Sequence, residues 1–175
     1  MTGRIRVVGG ALRNRRLKTL AGSRPTSERA REALFDILGP WIGGKTVLEA
    51  YAGSGAVAFE ALSRGAASAI AVETDASTLR ENRERLGVAL EIREGHAGLE
   101  LERLAGEQHR FDLVFLDPPY GAELGPVLER ASRLAKPNGW VIVQTDERAA
   151  VEATGLREER VARYGSNVLH FLRPT

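Results

Sequence analysis

The stretch VLEAYAGSGAVAFEAL, Val47 to Leu62, decides the fold. TVLEA, from Thr46, reads as a short buried strand. Gly53, Ser54 and Gly55 follow at once, and a helix runs from there through Arg64. Glycine at such a turn lets the backbone come close to a ligand, and the helix N-terminus lies directly behind it. About 20 residues beyond the turn, SAIAVE (Ser68 to Glu73) reads as a second strand with Glu73 at its tip. An acid in that place accepts hydrogen bonds from ribose hydroxyls. Together these features make the nucleoside-binding end of a Rossmann-like half.

AGSGAV lacks the third glycine of a dinucleotide fingerprint, and only one such unit is present. A ligand with one nucleoside and no pyrophosphate fits better, and S-adenosylmethionine is the candidate. Its sulfonium is cationic, which suits an acid such as Glu49 beside the turn.

Working outward, strands and helices alternate. VALEIRE (from Val88) is a third strand and FDLVFL (from Phe111) a fourth. GWVIVQT (from Gly139) is a fifth. Helices are predicted at about Ala76 to Leu86, Ala97 to Leu104 and Glu123 to Ala135. EERVARYG and SNVLHFLR read as an antiparallel pair, with Arg163, Tyr164 and Gly165 in the turn. The expected class is α/β, a mostly parallel seven-stranded sheet with helices on both faces and an antiparallel C-terminal pair. Before this core, RIRVVGG and RNRRLKTL predict a hairpin turning at Gly9–Gly10. SRPTSERAREALFDIL predicts a helix capped by Thr26 or Ser27, its apolar residues Ala30, Ala33, Leu34, Ile37 and Leu38 at helical spacing. The division expected is a basic N-terminal extension over 1–44 and a core over 45–175.

Composition narrows the function. The 175 residues contain no cysteine, which excludes a disulfide scaffold, a thiolate metal site and a cysteine nucleophile. His96, His109 and His170 have no ligand spacing, so no metal is expected. No apolar run approaches the ~20 residues that span a bilayer, and the first residues lack a secretory h-region. A cytoplasmic protein without membrane attachment is expected. The net charge of +2 divides unevenly, +8 over residues 1–31 and −6 over the rest. A basic arm on an acidic body points to a polyanionic partner. Of the 25 basic residues 22 are arginine, the better fork for phosphate.

The fourth strand ends in DPPY, Asp117 to Tyr120. In open α/β sheets, ligands bind beyond the carboxyl ends of the strands, at the switch in strand order. The first and fourth strands flank that switch, so YAGSG and DPPY are expected to face one crevice. Pro118 and Pro119 fix φ and have no N–H, leaving carbonyls to accept. The Asp117 carboxylate and the Pro118 carbonyl can each take a hydrogen of one NH2 group, and Tyr120 offers a face for a flipped base. Two acceptors on an exocyclic amine push electron density toward its nitrogen. They also stabilise the positive charge that grows there during methyl transfer. A thiolate route to a pyrimidine carbon is excluded by the absence of cysteine. Asp117, Pro118, Pro119 and Tyr120 are therefore the candidate catalytic residues.

With these motifs in hand, the chain resembles a known family, the bacterial 16S ribosomal RNA (guanine-966 N2) methyltransferases. RVVGGALRNRRL is similar to that family's N-terminal hairpin and RPTSERAREALFDIL to its arginine-rich helix. YAGSGAVAFEALSRGA, VETD, Glu81–Asn82, DPPY and RYGSNVLHF fall in family order. The resemblance implies a class I S-adenosylmethionine-dependent methyltransferase fold, with Gly53, Ser54, Gly55 and Glu73 at the cofactor. Glu49, Tyr51, His96 and Ala97 complete the candidate cofactor set. Here the chain departs from the family: Glu49 stands where Asp is usual, Tyr51 where Phe is common, and His96 where many relatives have an acid or Asn. His96 reads equally as an exposed loop residue, and Asn82 as a packing or capping residue.

By the same resemblance Asp117, Pro118 and Tyr120 hold the guanine amine. Arg4, Arg6, Arg13, Arg15, Arg16 and Lys18 of the hairpin and Arg24, Arg29 and Arg31 of the helix engage RNA. The implied partner is 16S rRNA, free, in the small subunit or in an assembly intermediate, met by a monomer. Two other readings share part of the pattern: a DNA adenine-N6 or cytosine-N4 methyltransferase, and a non-catalytic RNA-binding assembly factor on the same fold.

Overall fold

The first strands are the shortest. β1 (Ile5–Arg6) and β2 (Arg16–Leu17) pair antiparallel and lead to helix α1 (Glu28–Leu38) and a 3-10 turn, Gly39–Ile42. The core then alternates: β3 (Thr46–Ala50), α2 (Ala56–Ser63), β4 (Ser68–Glu73), α3 (Ser77–Leu86), β5 (Leu90–Glu94), α4 (Ala97–Gly106), β6 (Phe111–Leu116), α5 (Leu124–Leu134) and β7 (Ala135–Thr145). β8 (Leu156–Tyr164) and β9 (Asn167–Pro174) close the chain. This computed structural model describes residues 5–19, 28–147, 149, 151–152 and 154–175. The expected caps Thr26 and Ser27 lie outside the described residues.

The sheet order is β5-β4-β3-β6-β7-β9-β8. β3 to β7 run parallel, and β9 returns antiparallel beside β7 and β8. This is the Rossmann-like α/β architecture expected from the strand–helix alternation. Its switch in strand order falls between β3 and β6, where Ala50 pairs with Leu116. The residues that follow each strand, Tyr51 and Asp117, therefore stand side by side at one edge. Among the described residues no helix is long and apolar enough to cross a membrane.

Most of the parallel strands are covered on both faces, so they read as runs of Val, Ile and Leu rather than as alternation. Val47, Leu113 and Phe115 pack toward Phe35 of α1, Phe59 of α2 and Leu79 of α3. Leu48, Val114 and Leu116 pack toward Leu101 and Leu104 of α4 and Leu128 of α5. Truncating a buried ring such as Phe59 or Phe115 to Ala would cost about 3–5 kcal/mol. β7 starts four residues before the expected Gly139, with a register shift opposite Phe111–Leu113.

The hairpin forms, but it does not turn at Gly9–Gly10. The pairing continues past β1 through Val7 N–H to the Arg15 carbonyl (2.9 Å) and Asn14 N–H to the Val7 carbonyl (2.8 Å). The chain reverses beyond the glycines, with Asn14 at φ 67°. Gly9 and Gly10 are instead a seat against α2. A Cβ on Gly10, which has φ +74°, would lie 1.9 Å from the Ser63 carbonyl oxygen. The Glu60 carboxylate accepts from Val8 N–H (2.8 Å) and Gly9 N–H (2.7 Å), and Ser63 Oγ accepts from Leu12 N–H (2.9 Å). α2 is thus buried on the sheet side and on the hairpin side, and Ile5, Val7 and Leu17 share one packed cluster with Phe59.

Candidate active site

β3 delivers the glycine turn. Tyr51, Gly53 and Gly55 take φ of 60°, 54° and 78°, and the two glycines tolerate this left-handed backbone without a Cβ penalty. Gly55 also needs the space: a Cβ there would lie 2.6 Å from Leu79 Cδ2. A Cβ on Gly53 would meet nothing within 4 Å, so the turn leaves open room at that point. Ser54 is nearly buried. The half-buried Glu73 stands at the end of β4 as expected. Its Oε2 accepts from Gly53 N–H at 2.7 Å and its Oε1 from Thr74 N–H at 2.8 Å. The carboxylate is therefore held against the turn, with lone pairs left over for a ligand's hydroxyls.

Asn82 is wholly buried and ties three elements together. Its Nδ2 donates to the Ser54 carbonyl (3.0 Å) and to the Lys18 carbonyl (2.9 Å), and its Oδ1 accepts from Lys18 N–H (2.8 Å). This packing role links the glycine turn and α3 to the end of the hairpin. His96 is exposed at the start of α4, where its carbonyl accepts from Leu99 and Glu100 N–H, each at 3.0 Å. Ala97 beside it is buried.

Glu49 is turned toward α2. It is only 3% exposed, and its oxygens accept from Val57 N–H (3.3 Å) and Ala58 N–H (2.8 Å) in the first turn of α2. Burial pushes its pKa up to about 8, and the nearby Asp117 charge pushes the same way; the two N–H bonds and Arg31 oppose.

β6 delivers Asp117, half-buried, whose N–H reaches the Ala50 carbonyl at 3.4 Å. Its Oδ1 accepts from Gln144 Nε2 at 3.1 Å. Pro118 is buried, Pro119 is exposed and Tyr120 is 58% exposed. A cavity of about 320 Å³ lies between this turn and the end of β7, walled by Pro118, Pro119, Tyr120, Gln144 and Thr145. The strand order sets Asp117, after β6, next to Tyr51, after β3, but none of Tyr51 to Gly55 lines this cavity, so the two motifs do not share it. The cavity itself opens on the β7 side, and the glycine turn lies across the switch point from it. Among the described residues no group of acids and histidines is placed to hold a metal.

Of the arginines expected to meet RNA, Arg6, Arg13, Arg15, Arg16 and Arg29 are exposed, as is Lys18. Arg6 pairs with Glu28 (3.2 Å) and Lys18 with Glu81 (2.6 Å), and Arg15 donates to the Arg85 carbonyl (2.7 Å). Arg4 and Arg24 lie outside the described residues. Arg31 is a correction. It is fully buried, donating to the Arg6 carbonyl with Glu60 Oε2 3.6 Å from its Nε, so its guanidinium is not offered to a phosphate. The helical period carried the signal: Arg31 lies three, four and seven residues before Leu34, Phe35 and Leu38, all on the buried face. The sequence reading also passed over Glu60, the acid that Arg31 faces, and Gln144, which orients Asp117.

A family model described as Conserved hypothetical protein 95 matches residues 5–173. The ribosomal RNA small subunit methyltransferase D of Haemophilus influenzae is 36% identical over 155 residues, which is 83% of this chain and 80% of the relative. The protein of the same name from Escherichia coli K12 is 36% identical over 146 residues, 80% of this chain and 71% of the relative. Among solved structures, a hypothetical protein of Thermus thermophilus superimposes with a TM-score of 0.85 at 30% identity, over 95% of this chain and 98% of its own.

Proposed function

The chain belongs to the Conserved hypothetical protein 95 family, and from that premise we propose that it is an S-adenosylmethionine-dependent methyltransferase acting on the exocyclic N2 amine of one guanine, the guanine-966 site, in 16S rRNA. The observation that carries the reading is the bond from Gln144 to Asp117, since Gln144, with Pro118 and Tyr120, walls the cavity that follows Asp117 in the chain. Residues 1–44 serve as the RNA-contacting extension and residues 45–175 as the catalytic core, working as a monomer in the cytoplasm. The substrate is the rRNA of the small subunit or of its assembly intermediate.

The residues at the glycine turn suit the cofactor. The open room at Gly53 admits a ligand against the backbone, and the Glu73 carboxylate is fixed beside it to accept from ribose hydroxyls. Glu49, Tyr51, Ser54, Gly55, His96 and Ala97 complete the edge on which it would lie. When bound, the cofactor supplies a methyl group made electrophilic by a cationic sulfur.

The protein's own part is positioning and electrostatics. Asp117 and the Pro118 carbonyl take the two amine hydrogens, and Tyr120 stacks on the base. The amine so positioned would take the methyl group supplied by the cofactor held at the glycine turn, and the proton that the amine sheds would pass to solvent. The Asp117 charge lowers the cost of the positive charge in transit. The test is transfer of a labelled methyl by the purified protein to small-subunit RNA, naked or assembled, followed by nucleoside analysis. N2-methylguanosine at one position is expected. Label on adenine N6 or cytosine N4, or only on duplex DNA, would refute the assignment.

A further inference from the structure

Gln144 is the penultimate residue of β7, 6% exposed, at the wall of the cavity beside Asp117. Its amide orientation is fixed by chemistry. An ionised carboxylate only accepts, so the Nε2 hydrogen must face Asp117 Oδ1, 3.1 Å away. That leaves Oε1 on the other side of the same amide. It is buried and has no hydrogen-bond partner among the described residues. The neighbouring Thr145 hydroxyl is engaged elsewhere, donating to the Asp146 carbonyl (3.0 Å) and meeting His170 Nε2 (3.1 Å). A buried acceptor left unpaired is costly and rare in a native structure. Here it stands next to the carboxylate assigned to the amine.

The four bases differ at this point. Adenine and cytosine each carry, beside the exocyclic amine, a ring nitrogen that only accepts. Guanine alone carries a ring N–H beside its amine, at N1, and uracil has no amine. A carbonyl oxygen adjoining the amine-binding carboxylate would repel the first two and bond the third. We infer that Gln144 is a specificity-determining residue: its Nε2 orients Asp117 while its Oε1 accepts the N1–H of guanine. The inference rests on the guanine-N2 reading above and explains how the same Asp-Pro-Pro-Tyr corner rejects adenine and cytosine. Swapping donor for acceptor at such a contact leaves polar groups unpaired, the arrangement that discriminates most strongly.

The probe is small-subunit RNA in which the target guanosine is replaced by 2-aminopurine, which keeps the N2 amine and lacks the N1 hydrogen. The ratio of kcat/KM for guanine over 2-aminopurine is measured within single preparations, so the folded fraction cancels. The wild-type protein is expected to favour guanine about tenfold or more, the worth of one buried hydrogen bond. In Gln144→Met and Gln144→Leu, which have no acceptor, the ratio should fall toward one. Gln144→Glu keeps an acceptor oxygen and should retain a preference for guanine. N2-methylguanosine formed with the same ratio in wild type, Met and Leu variants would overturn the role of Gln144 and leave the reading of the reaction intact. Label arriving on adenine or cytosine would overturn both.

Discussion

Glu49, buried in β3, turns both oxygens to the first turn of α2, and burial raises its pKa from 4.5 to about 8. Between those two values the folded protein holds a proton that the unfolded chain has released. Stability from this residue is therefore full below pH 4.5 and falls as the pH rises to about 8. Glu49→Gln abolishes the titration. Its stability relative to wild type should climb across that window, by at most about 1.4 kcal/mol per pH unit, as read by urea unfolding at successive pH values. A difference that does not vary with pH would show that Glu49 is ionised throughout. Asp117 makes the complementary case, because in the proposed reaction its substitution bears on chemistry. Asp117→Ala should keep cofactor affinity by calorimetry and lose about 10²–10³ in kcat, the usual cost of one transition-state electrostatic interaction. Turnover at the wild-type rate would reject the corner mechanism.

At the scale of elements, the docking of the hairpin depends on one acid. Glu60 is wholly buried in α2, accepts two backbone N–H groups of the β1–β2 connection and pairs with Arg64 at 2.8 Å. Glu60→Ala strands Arg31 without its anion and should cost about 3–5 kcal/mol. Hydrogen exchange at Val8 and Gly9 should accelerate well beyond that at β6 amides, and uniform acceleration would deny Glu60 a local clamping role. This docking was the least legible part of the chain. The strands Ser68–Glu73 and Phe111–Leu116 could be read directly, because a two-faced parallel strand is a short apolar run between turns. The glycine turn and DPPY could be read because each follows such a run. The partners of Gly10 and Arg31 could not: Ser63 and Glu60 lie 53 and 29 residues further along, and local patterns carry no sign of them. Gln144 was hidden for a related reason, since one polar residue near a strand end has no period to mark it.

For the whole molecule, the charge asymmetry acquires a place. Arg13 and Arg16 are exposed in the hairpin and have no acidic partner among the described residues, unlike Arg6 and Lys18. The hairpin is fastened to α2 through Glu60 and to the glycine turn through Asn82. RNA gripped by the hairpin would thus be held in fixed register with Asp117, although the two lie on different elements. Replacing Arg13 and Arg16 together with Ala should raise KM for the RNA and leave cofactor affinity unchanged. It should also lower the slope of log affinity against log salt by about 0.7 for each phosphate that the protein no longer neutralises. Arg31→Met makes the contrast, since a buried guanidinium contributes to stability and releases no counterions. That variant should unfold at lower denaturant while keeping the wild-type slope. If instead Arg31→Met flattens the slope and the Arg13–Arg16 pair does not, the RNA approaches from another side, and the positive end of the chain is there for folding alone.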